Sequence, residues 1–388
     1  MIAWLGVLLV TALLDLAPAG VFADDIRPNA WVAMRSTGNG PDYGGLPGRR
    51  GWIQVSYDPE SRKVVMFGGD AWTYLSDLWE YDFTKNYWRL VRSHPDPHGP
   101  CRRDNHNFVY DPVGRRFWMW NGATADNTGR NAQPGCSQHD HHQDQWTYDA
   151  VANTWTRQGR SPDRMLAAAA AYDPVSRTIV QFGGDRALTS NTTDSTFFMD
   201  VATGRWTQLS NLSSTPPPST NLQGAFVYMA NVRKFLLFGG RNGSGSTVAH
   251  NQTWLFDPQR RKWERALPQN SPPARDLHSI VFDSTNGVVI LHGGRSADRK
   301  TAFSDTWIYD PLRNAWTDIT PSLLDPGPPM HYGNGVYDPI NRVMLMVPGE
   351  WSTDTYGFRY DPAARSASPS GTFHLANPLR MLRIRPHP

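Results

Sequence analysis

Tyr57-Asp58-Pro59, Phe67-Gly68-Gly69 and Trp79-Glu80-Tyr81-Asp82 follow one another early in the chain, and Trp88 completes the series. The same order then returns in five further copies, which end at Trp155, Trp206, Trp263, Trp316 and, incompletely, Tyr360-Asp361. A repeat of this length is one small sheet that cannot bury both of its faces alone. We therefore predict six sheets stacked radially around an axis, which is a six-bladed β-propeller.

The composition fits short strands joined by turns. Glycine, proline and tryptophan are abundant and helical apolar spacing is scarce, which indicates an all-β class. Repeats fill the chain from about Gly51 to Asp361 without a linker, so we expect one large domain. The net charge is only +3, and Arg380, Arg383 and Arg385 cluster in the C-terminal tail. Without a basic stripe to follow a phosphate backbone, we expect no nucleic-acid partner.

The N-terminus has the pattern of a secretory signal peptide. Ile2 to Leu14 is almost wholly apolar but too short to span a bilayer, and Val21-Phe22-Ala23 has small residues where a signal peptidase cuts. We expect residues 1–23 to be the signal peptide, 24–365 the propeller and 366–388 a C-terminal tail. Because no second hydrophobic stretch follows, the mature protein is expected to be secreted and without a membrane span. We also expect it to be a monomer.

The two cysteines, Cys101 and Cys136, are expected to form a disulfide in an oxidising compartment. The loop so closed stabilises the fold by about 3–4 kcal/mol in the chain-entropy model. Sequons compatible with glycosylation in a eukaryotic secretory pathway occur at Asn191, Asn211, Asn242 and Asn251. A disulfide leaves no thiol for a cysteine nucleophile.

The repeated residues resemble the kelch family of β-propellers, and the resemblance covers most of the mature chain. Its diagnostic parts are an aromatic-x-aromatic-Asp step, a downstream Trp and the paired glycines Gly68-Gly69, Gly183-Gly184, Gly239-Gly240 and Gly293-Gly294. Glycine permits a tight backbone path where the second strand ends, and Trp and Tyr are expected to wedge between neighbouring sheets.

The sixth copy lacks a clear fourth-strand Trp. Arg27-Pro28-Asn29-Ala30-Trp31 reads like Arg313-Asn314-Ala315-Trp316, so we predict that this N-terminal strand completes blade six and closes the ring. A rival reading makes Gly371-Thr372-Phe373 the last strand of that blade.

The kelch resemblance implies that each first strand lines the axis and starts at the face where the loop between strands two and three emerges. His106 in blade two and His278 in blade five share one repeat position, and Arg103 and Arg275 precede them. Since blades two and five are opposite in a ring of six, we expect the two Arg/His pairs to face across the axis. The alternative is that the arginines recur for structural reasons, bonded to backbone or neighbouring loops.

The positions after the paired glycines are expected to form a ring of mixed charge at the same mouth, suited to a polar ligand. In blade order they are Asp70, Ala123, Asp185, Arg241, Arg295 and Glu350. Flat apolar surface for the pocket wall is expected from Trp72, Tyr74 and Trp351. The alanine run that ends at Ala171 in blade three leaves volume for an off-centre pocket, with a tightly packed channel as the alternative.

Blade two carries a long insert from Ala123 to Gln145, a length typical of functional or disordered loops. His139 and His141 alternate onto one side of an extended segment, and with His106 nearby they are candidate ligands for a divalent metal such as zinc. The alternative is that this His-Asp loop is simply solvated.

Several chemistries are excluded by missing motifs. The chain has no Gly-x-Ser-x-Gly elbow, phosphate-cradling loop or dinucleotide-binding motif. We also expect no redox cofactor, because the copper oxidases that resemble kelch propellers need a free cysteine cross-linked to tyrosine.

The favoured hypothesis is a redox-neutral enzyme with a small-molecule pocket: an epimerase or other isomerase, a lyase, or a cyclase of secondary metabolism, activities that are known in similar propellers. Such reactions need an oriented reactive pair, worth up to about 7–11 kcal/mol, and hydrogen-bond donors. His106, His278, Arg103 and Arg275 are the candidate donors or general acid and base, with the three aromatic residues stacking on the ligand.

Two other functions stay open at this point. A glycan- or protein-binding module without catalysis predicts a broad aromatic face and tolerance of His106→Ala. A metal-dependent activity at the blade-two insert predicts metal that is lost when His139 and His141 are replaced.

Overall fold

The computed structural model describes residues 21–364 except 126–132, 187–190, 210–225, 244–245, 331–334, 348 and 350–351. Its strands form six antiparallel sheets, and the innermost strands of successive sheets lie side by side in a ring that the sixth and first sheets close. Helical structure in these residues consists of short 3-10 turns at Ala23–Asp25, Tyr43–Gly45 and Thr320–Ser322. None of the described helices has the length and hydropathy needed to cross a bilayer. The predicted all-β, six-bladed propeller is confirmed.

Each blade has four main strands, numbered from the axis outward. Their bounds are Gln54–Asp58, Lys63–Asp70, Tyr74–Asp82 and Tyr87–Arg92 in blade one; Asn107–Asp111, Arg116–Trp120, Asp144–Asp149 and Thr154–Arg160 in blade two; Ala169–Asp173, Thr178–Phe182, Thr196–Asp200 and Trp206–Gln208 in blade three; Phe226–Met229, Lys234–Phe238, Thr253–Asp257 and Lys262–Ala266 in blade four; Ser279–Asp283, Val288–His292, Thr306–Asp310 and Ala315–Asp318 in blade five; and Gly335–Asp338, Val343–Met346, Tyr356–Phe358 and Trp31–Ala33 in blade six.

Shorter strands extend some of the blades. Ribbons pair Ala123–Ala125 with His139–His141, Met165–Leu166 with Asp185–Arg186, Asp185–Arg186 with Asn191–Thr192, and Arg275–Asp276 with Arg295–Ser296. A further strand, Thr37–Gly38, runs parallel to the outer strand of blade one.

Blade six is closed by the N-terminal strand. Trp31–Ala33 pairs antiparallel with Tyr356–Phe358. The Trp31 indole also reaches blade five, where its Nε1 donates to the Thr306 hydroxyl at 2.9 Å. The predicted closure is therefore confirmed. The rival strand at residues 371–373 lies outside the described residues. The fourth-strand position of blade six is occupied by Trp31–Ala33.

The fourth-strand tryptophans wedge between neighbouring blades, as predicted. Trp263 is buried, its ring centre lies 4.7 Å from that of Phe182 in blade three, and its Nε1 donates to Thr196 at 3.0 Å. Trp316 repeats this packing one blade further on, 5.1 Å from Phe238. Burying an indole removes about 150–250 Å² from water, which stabilises the fold by about 4–6 kcal/mol at 25 cal/mol/Å². These wedges hold each blade to the one before it.

The paired glycines let the second strand touch the following blade. Gly68 has a φ of 61°, and a Cβ there would lie only 2.7 Å from the carbonyl oxygen of Arg103. Gly239 has the same relation to Arg275, with a φ of 69° and the same 2.7 Å. In both blades the amide of the next glycine donates to that carbonyl, at 3.0 Å and 2.9 Å respectively. The chain before each of these inner strands is thus fastened to the preceding blade.

At the other end of the inner strands, tyrosines bond to the preceding blade. The Tyr57 hydroxyl donates to Asp338 at 2.7 Å, and the Tyr337 hydroxyl donates to Asp283 at 2.5 Å. Both ends of the ring of inner strands are therefore tied from blade to blade.

Candidate functional site

Arg103 is locked inside blade two. Its guanidinium group donates to both oxygens of Asp144 at 2.6 and 2.9 Å, and to the backbone carbonyls of Asn121 at 3.0 Å and Cys101 at 2.8 Å. The Trp146 indole donates to the same carboxylate at 2.7 Å. Burial raises the pKa of Asp144, but the charge and hydrogen bonds of Arg103 outweigh it and hold that pKa well below its usual range.

The same arrangement recurs in two other blades. In blade five, Arg275 donates to both oxygens of Asp305 at 2.6 Å and to the carbonyl of Gly293 at 2.8 Å. In blade one, Arg50 donates to Asp77 at 2.8 Å. A buried arginine that ties the third strand of its own blade to the chain before the first strand has a structural role in each case. This geometry favours the structural alternative for Arg103 and Arg275, whose guanidinium groups are not accessible to a ligand.

His106 and His278 do not face each other across the axis. Each is 1% exposed and packs edge-on against a phenylalanine of the preceding blade, at 5.5 Å from Phe67 and 5.6 Å from Phe238. Both ring nitrogens of His106 are buried without a hydrogen-bond partner among the described residues. Burial, and then the charge of the nearby arginine, lowers the pKa of each ring to about 3. The predicted opposition is wrong, because these inner strands start inside the interface with the preceding blade.

The ring of residues after the paired glycines is only partly open. Asp185 and Arg241 are buried, and Ala123 is buried within its ribbon. Arg241 Nε donates to Asp276 of blade five at 2.5 Å, and Arg295 Nη2 lies 3.4 Å from the same carboxylate. The two cationic members of the ring therefore share an ion pair with one acid of the propeller itself, which offsets one of their two charges.

The equivalent junction between blades one and two holds two acids. Asp70 and Asp104 occupy the repeat positions that Arg241 and Asp276 occupy between blades four and five. Burial raises the pKa of Asp70. Burial, reinforced by the charge of Asp70, raises the pKa of Asp104 to about 7. Burial and the neighbouring carboxylate therefore make Asp104 a much weaker acid than a solvated aspartate.

The predicted disulfide is confirmed. Cys101 and Cys136 are bonded, with their Cα atoms 5.7 Å apart, and the bond ties the insert to the start of blade two. The two cysteines are 35 residues apart in the sequence. A loop of this length gives a stabilisation of about 3–4 kcal/mol in the chain-entropy model.

The histidines of the insert lie in different environments. His139 is exposed, His141 is half-buried, and His142 is buried with its Nε2 2.9 Å from the Thr124 hydroxyl. Within the described parts of the chain, no three His, Cys, Asp or Glu side chains come together as a metal site. His106 is sealed between blades one and two, so the expected third ligand does not join the pair.

The alanine run of blade three is divided by the fold. Ala167 to Ala169 are buried, whereas Ala170 and Ala171 line a central channel with a volume of about 460 Å³. The inner strands of all six blades line this channel as far as turn residues such as Pro59 and Pro112. The predicted space exists, but it lies on the axis and is shared by six blades.

A second cavity lies off the axis, between the segment 41–50 and blade one. It has a volume of about 330 Å³, and its lining includes Asp42, Tyr43, Thr73 and Ser93. The ion pair of Arg50 with Asp77 belongs to the same lining. This blade-one cleft was not indicated by the repeat pattern, because segment 41–50 has no counterpart in the other blades.

Aromatic residues flank the cleft unequally. Trp72 is 96% exposed and lies between Ala71 and Thr73, which both line the cleft. Tyr74 is half-buried and pairs with Asp70 in the hairpin. Glu350 and Trp351, expected at the same mouth, lie outside the described residues.

The comparisons with known proteins agree with this architecture. A family model described as the KLHDC2/KLHL20/DRC7 Kelch-repeats domain matches residues 19–226 and 129–337. This chain belongs to the kelch-repeat family. Human multiple epidermal growth factor-like domains protein 8 is 26% identical to the kelch chain over 181 residues, which is 44% of this chain and 6% of that protein. The mouse protein of the same name is 25% identical over 181 residues.

A dynein chain is also similar to this kelch propeller. The dynein alpha chain of the flagellar outer arm of Chlamydomonas reinhardtii is 24% identical over 103 residues, which is 26% of this chain and 2% of that protein. The kelch chain thus spans only a small fraction of the length of the relatives it matches.

Proposed function

We propose that this kelch propeller is a non-catalytic binding module, and that the blade-one cleft binds a neutral glycan. The observation that carries the proposal is an exposed aromatic side chain in the cleft lining, Tyr43, with a second exposed ring, Trp72, on the hairpin between the lining residues Ala71 and Thr73. Tyr43 is 58% exposed with a φ of 52°, and Trp72 is 96% exposed with a φ of 68°. A left-handed backbone costs a non-glycine residue about 1–2 kcal/mol of folding free energy. Tyr43 and Trp72 both keep this conformation in spite of that cost.

The lining of the cleft suits a sugar. Sugar rings present C–H faces that pack on aromatic rings, and hydroxyl groups that bond to polar side chains. Thr73, Ser93 and Asp42 supply such polar groups, while Arg50 and Asp77 neutralise each other. A volume of about 330 Å³ lies at the small end of the range for ligand pockets, about 300–1,000 Å³. Asp42 repels anions, which favours a neutral ligand.

The isomerase or cyclase hypothesis has less support. It requires an acid, a base or hydrogen-bond donors that a substrate can reach. Arg103 and Arg275 are bonded into the blades, and His106 and His278 are packed between them. With the candidate donors engaged in this way, recognition without turnover is the better supported function.

We further propose that the protein is secreted, because an intrachain disulfide is typical of oxidising compartments. Asn242 and Asn251 are exposed, which is compatible with glycosylation. Asn191 lies in a short ribbon, and Asn211 lies outside the described residues.

The test is an array of neutral oligosaccharides followed by calorimetry on those that bind. Trp72→Asn and Tyr43→Asn remove the rings but keep a residue that tolerates positive φ. Each is expected to weaken binding about two- to tenfold, since an aromatic contact is worth about 0.5–1.5 kcal/mol. Leu312→Ala, at a side chain 78% exposed on blade five, is the control and is expected to bind normally. Unchanged affinity in both Asn variants, or conversion of a small molecule that His106→Ala abolishes without unfolding, would contradict the proposal.

A further inference from the structure

The turn between the first and second strands has the same backbone feature in every blade. All six of these turns lie within the described residues, and in each of them the residue immediately before the second strand has a positive φ. In five of them it is arginine: Arg62 at 57°, Arg115 at 51°, Arg177 at 57°, Arg233 at 53° and Arg342 at 58°. In blade five it is Gly287 at 69°. We call the five side chains the arginine ring.

The outer turns of the same blades provide an internal comparison. Between strands three and four, the left-handed residues are Asn86, Asn153, Gly204, Arg261 and Asn314. Asparagine and glycine are the residues that adopt this conformation most readily. The inner turns need the same conformation but carry arginine instead, so backbone preference does not explain the arginine ring.

Much of the positive charge of the ring is free. Arg177, Arg233 and Arg342 are exposed and have no ion pair among the described residues, whereas Arg115 pairs with Glu60 at 2.5 Å. Arg62 is half-buried and donates to Asn341 at 3.1 Å.

The aspartates that begin the same turns form no ion pair with the arginine ring among the described residues. Asp58, Asp111, Asp173 and Asp338 are buried and accept hydrogen bonds from turn amides of their own blades at 2.9–3.0 Å. They are engaged in the turns, so a ligand approaching this end of the propeller meets the guanidinium groups first.

The ring lies at one end of the central channel. The channel lining reaches Pro59, Pro112 and Pro339, which are the turn residues three positions before the arginines of blades one, two and six. Cationic groups arranged around a concave opening concentrate the positive potential there and attract multiply charged anions.

We propose that the arginine ring binds a sulfated oligosaccharide at this mouth of the channel. The planar guanidinium fork matches the oxygens of a sulfate group and forms charge-assisted hydrogen bonds with them. Several arginines on separate blades suit a ligand whose charges are spaced along a chain. The disulfide is typical of oxidising, non-cytosolic compartments, where sulfated glycans are the usual polyanions. This site is separate from the blade-one cleft and does not depend on its function.

The experiment compares binding of a heparin-derived octasaccharide to the full chain and to two triple variants of equal charge. Arg177→Asn, Arg233→Asn and Arg342→Asn together remove the free charges of the ring and keep left-handed turns. The control combines Arg260→Asn, Arg261→Asn and Arg313→Asn in the outer turns. We expect the ring variant to bind at least tenfold more weakly, the control to bind within twofold of the parent, and the parent to lose affinity with added salt.

Three results would overturn the proposal. One is absence of binding by the parent at physiological ionic strength. Another is equal loss of affinity in the ring and control variants, which would indicate a response to net charge alone. The third is retention of binding by the de-sulfated octasaccharide, or tighter binding of inositol hexakisphosphate than of the sulfated chain, either of which would exclude the assigned ligand class. Thermal unfolding of the ring variant serves as the check on folding.

Discussion

Replacing Arg103 by methionine is expected to destabilise the propeller by about 3–5 kcal/mol, the usual effect of removing one partner of a buried ion pair. The guanidinium group is wholly buried and contacts Asp144 at 2.6 and 2.9 Å, besides its two backbone carbonyls. Methionine fills much of the space but makes none of these bonds. Asp144 is left partly buried without its counter-charge, so its pKa rises, and the loss is smaller in acid, where the carboxylate is protonated.

The effect is measured by urea unfolding followed by tryptophan fluorescence and circular dichroism. With an m-value of about 3 kcal/mol/M, a loss of this size lowers the urea midpoint by about 1–2 M. A ligand-binding role alone predicts lost function with an unchanged midpoint. An unchanged midpoint in Arg103→Met therefore refutes the structural assignment.

Blade three supplies the design of the control. Met165 and Ser195 stand at the places of Arg103 and Asp144, so this blade forms without the ion pair. The double variant Arg103→Met with Asp144→Ser copies that solution and is expected to be more stable than Arg103→Met alone. A double variant that is less stable than the single one contradicts this account.

Three further outcomes are expected. Trp31→Ala should cost about 3–5 kcal/mol, because it empties the seam of blade six; an unchanged urea midpoint counts against closure by this strand. The folded pKa of His106 is about 3, below its unfolded value near 6.5, so stability falls by up to about 1.4 kcal/mol per pH unit as the pH drops through this window. His106→Leu should reduce that slope, and an identical pH profile would show that the ring is not sealed. Replacing Cys101 and Cys136 by serine should cost about 3–4 kcal/mol, and a loss below about 1 kcal/mol would mean that the bond constrains little of the unfolded chain.

The propeller fold was predictable because the same sequence motifs recur in each blade. The wedge of Trp263 and the closing strand at Trp31 follow from positions that repeat from blade to blade, and neighbouring copies have no other way to bury them. The disulfide was predictable from the presence of two cysteines and the indications of secretion.

The candidate site was harder to predict, because accessibility depends on partners distant in the chain. Spacing placed Arg103 and His106 at a mouth, but it did not show that Asp144 and Phe67 would enclose them. One signal was available: an Asp two places before a Trp occurs at Asp77, Asp144 and Asp305, in the blades that also have the arginine. Tyr43 gave no such signal, since its segment occurs once.

The closing strand also affects how this protein is made. A ribosome adds about 5–20 residues per second, so Trp31 emerges tens of seconds before its partner Phe358. During that interval the ring is an open arc that exposes an apolar blade face at each end. The strand Trp31–Ala33 also has an unpaired edge, and such edges are sites of aggregation. Chaperone protection is needed most while the last blade is being translated. The finished molecule has no such edge at the seam, because Trp31–Ala33 and Tyr356–Phe358 are hydrogen-bonded to each other.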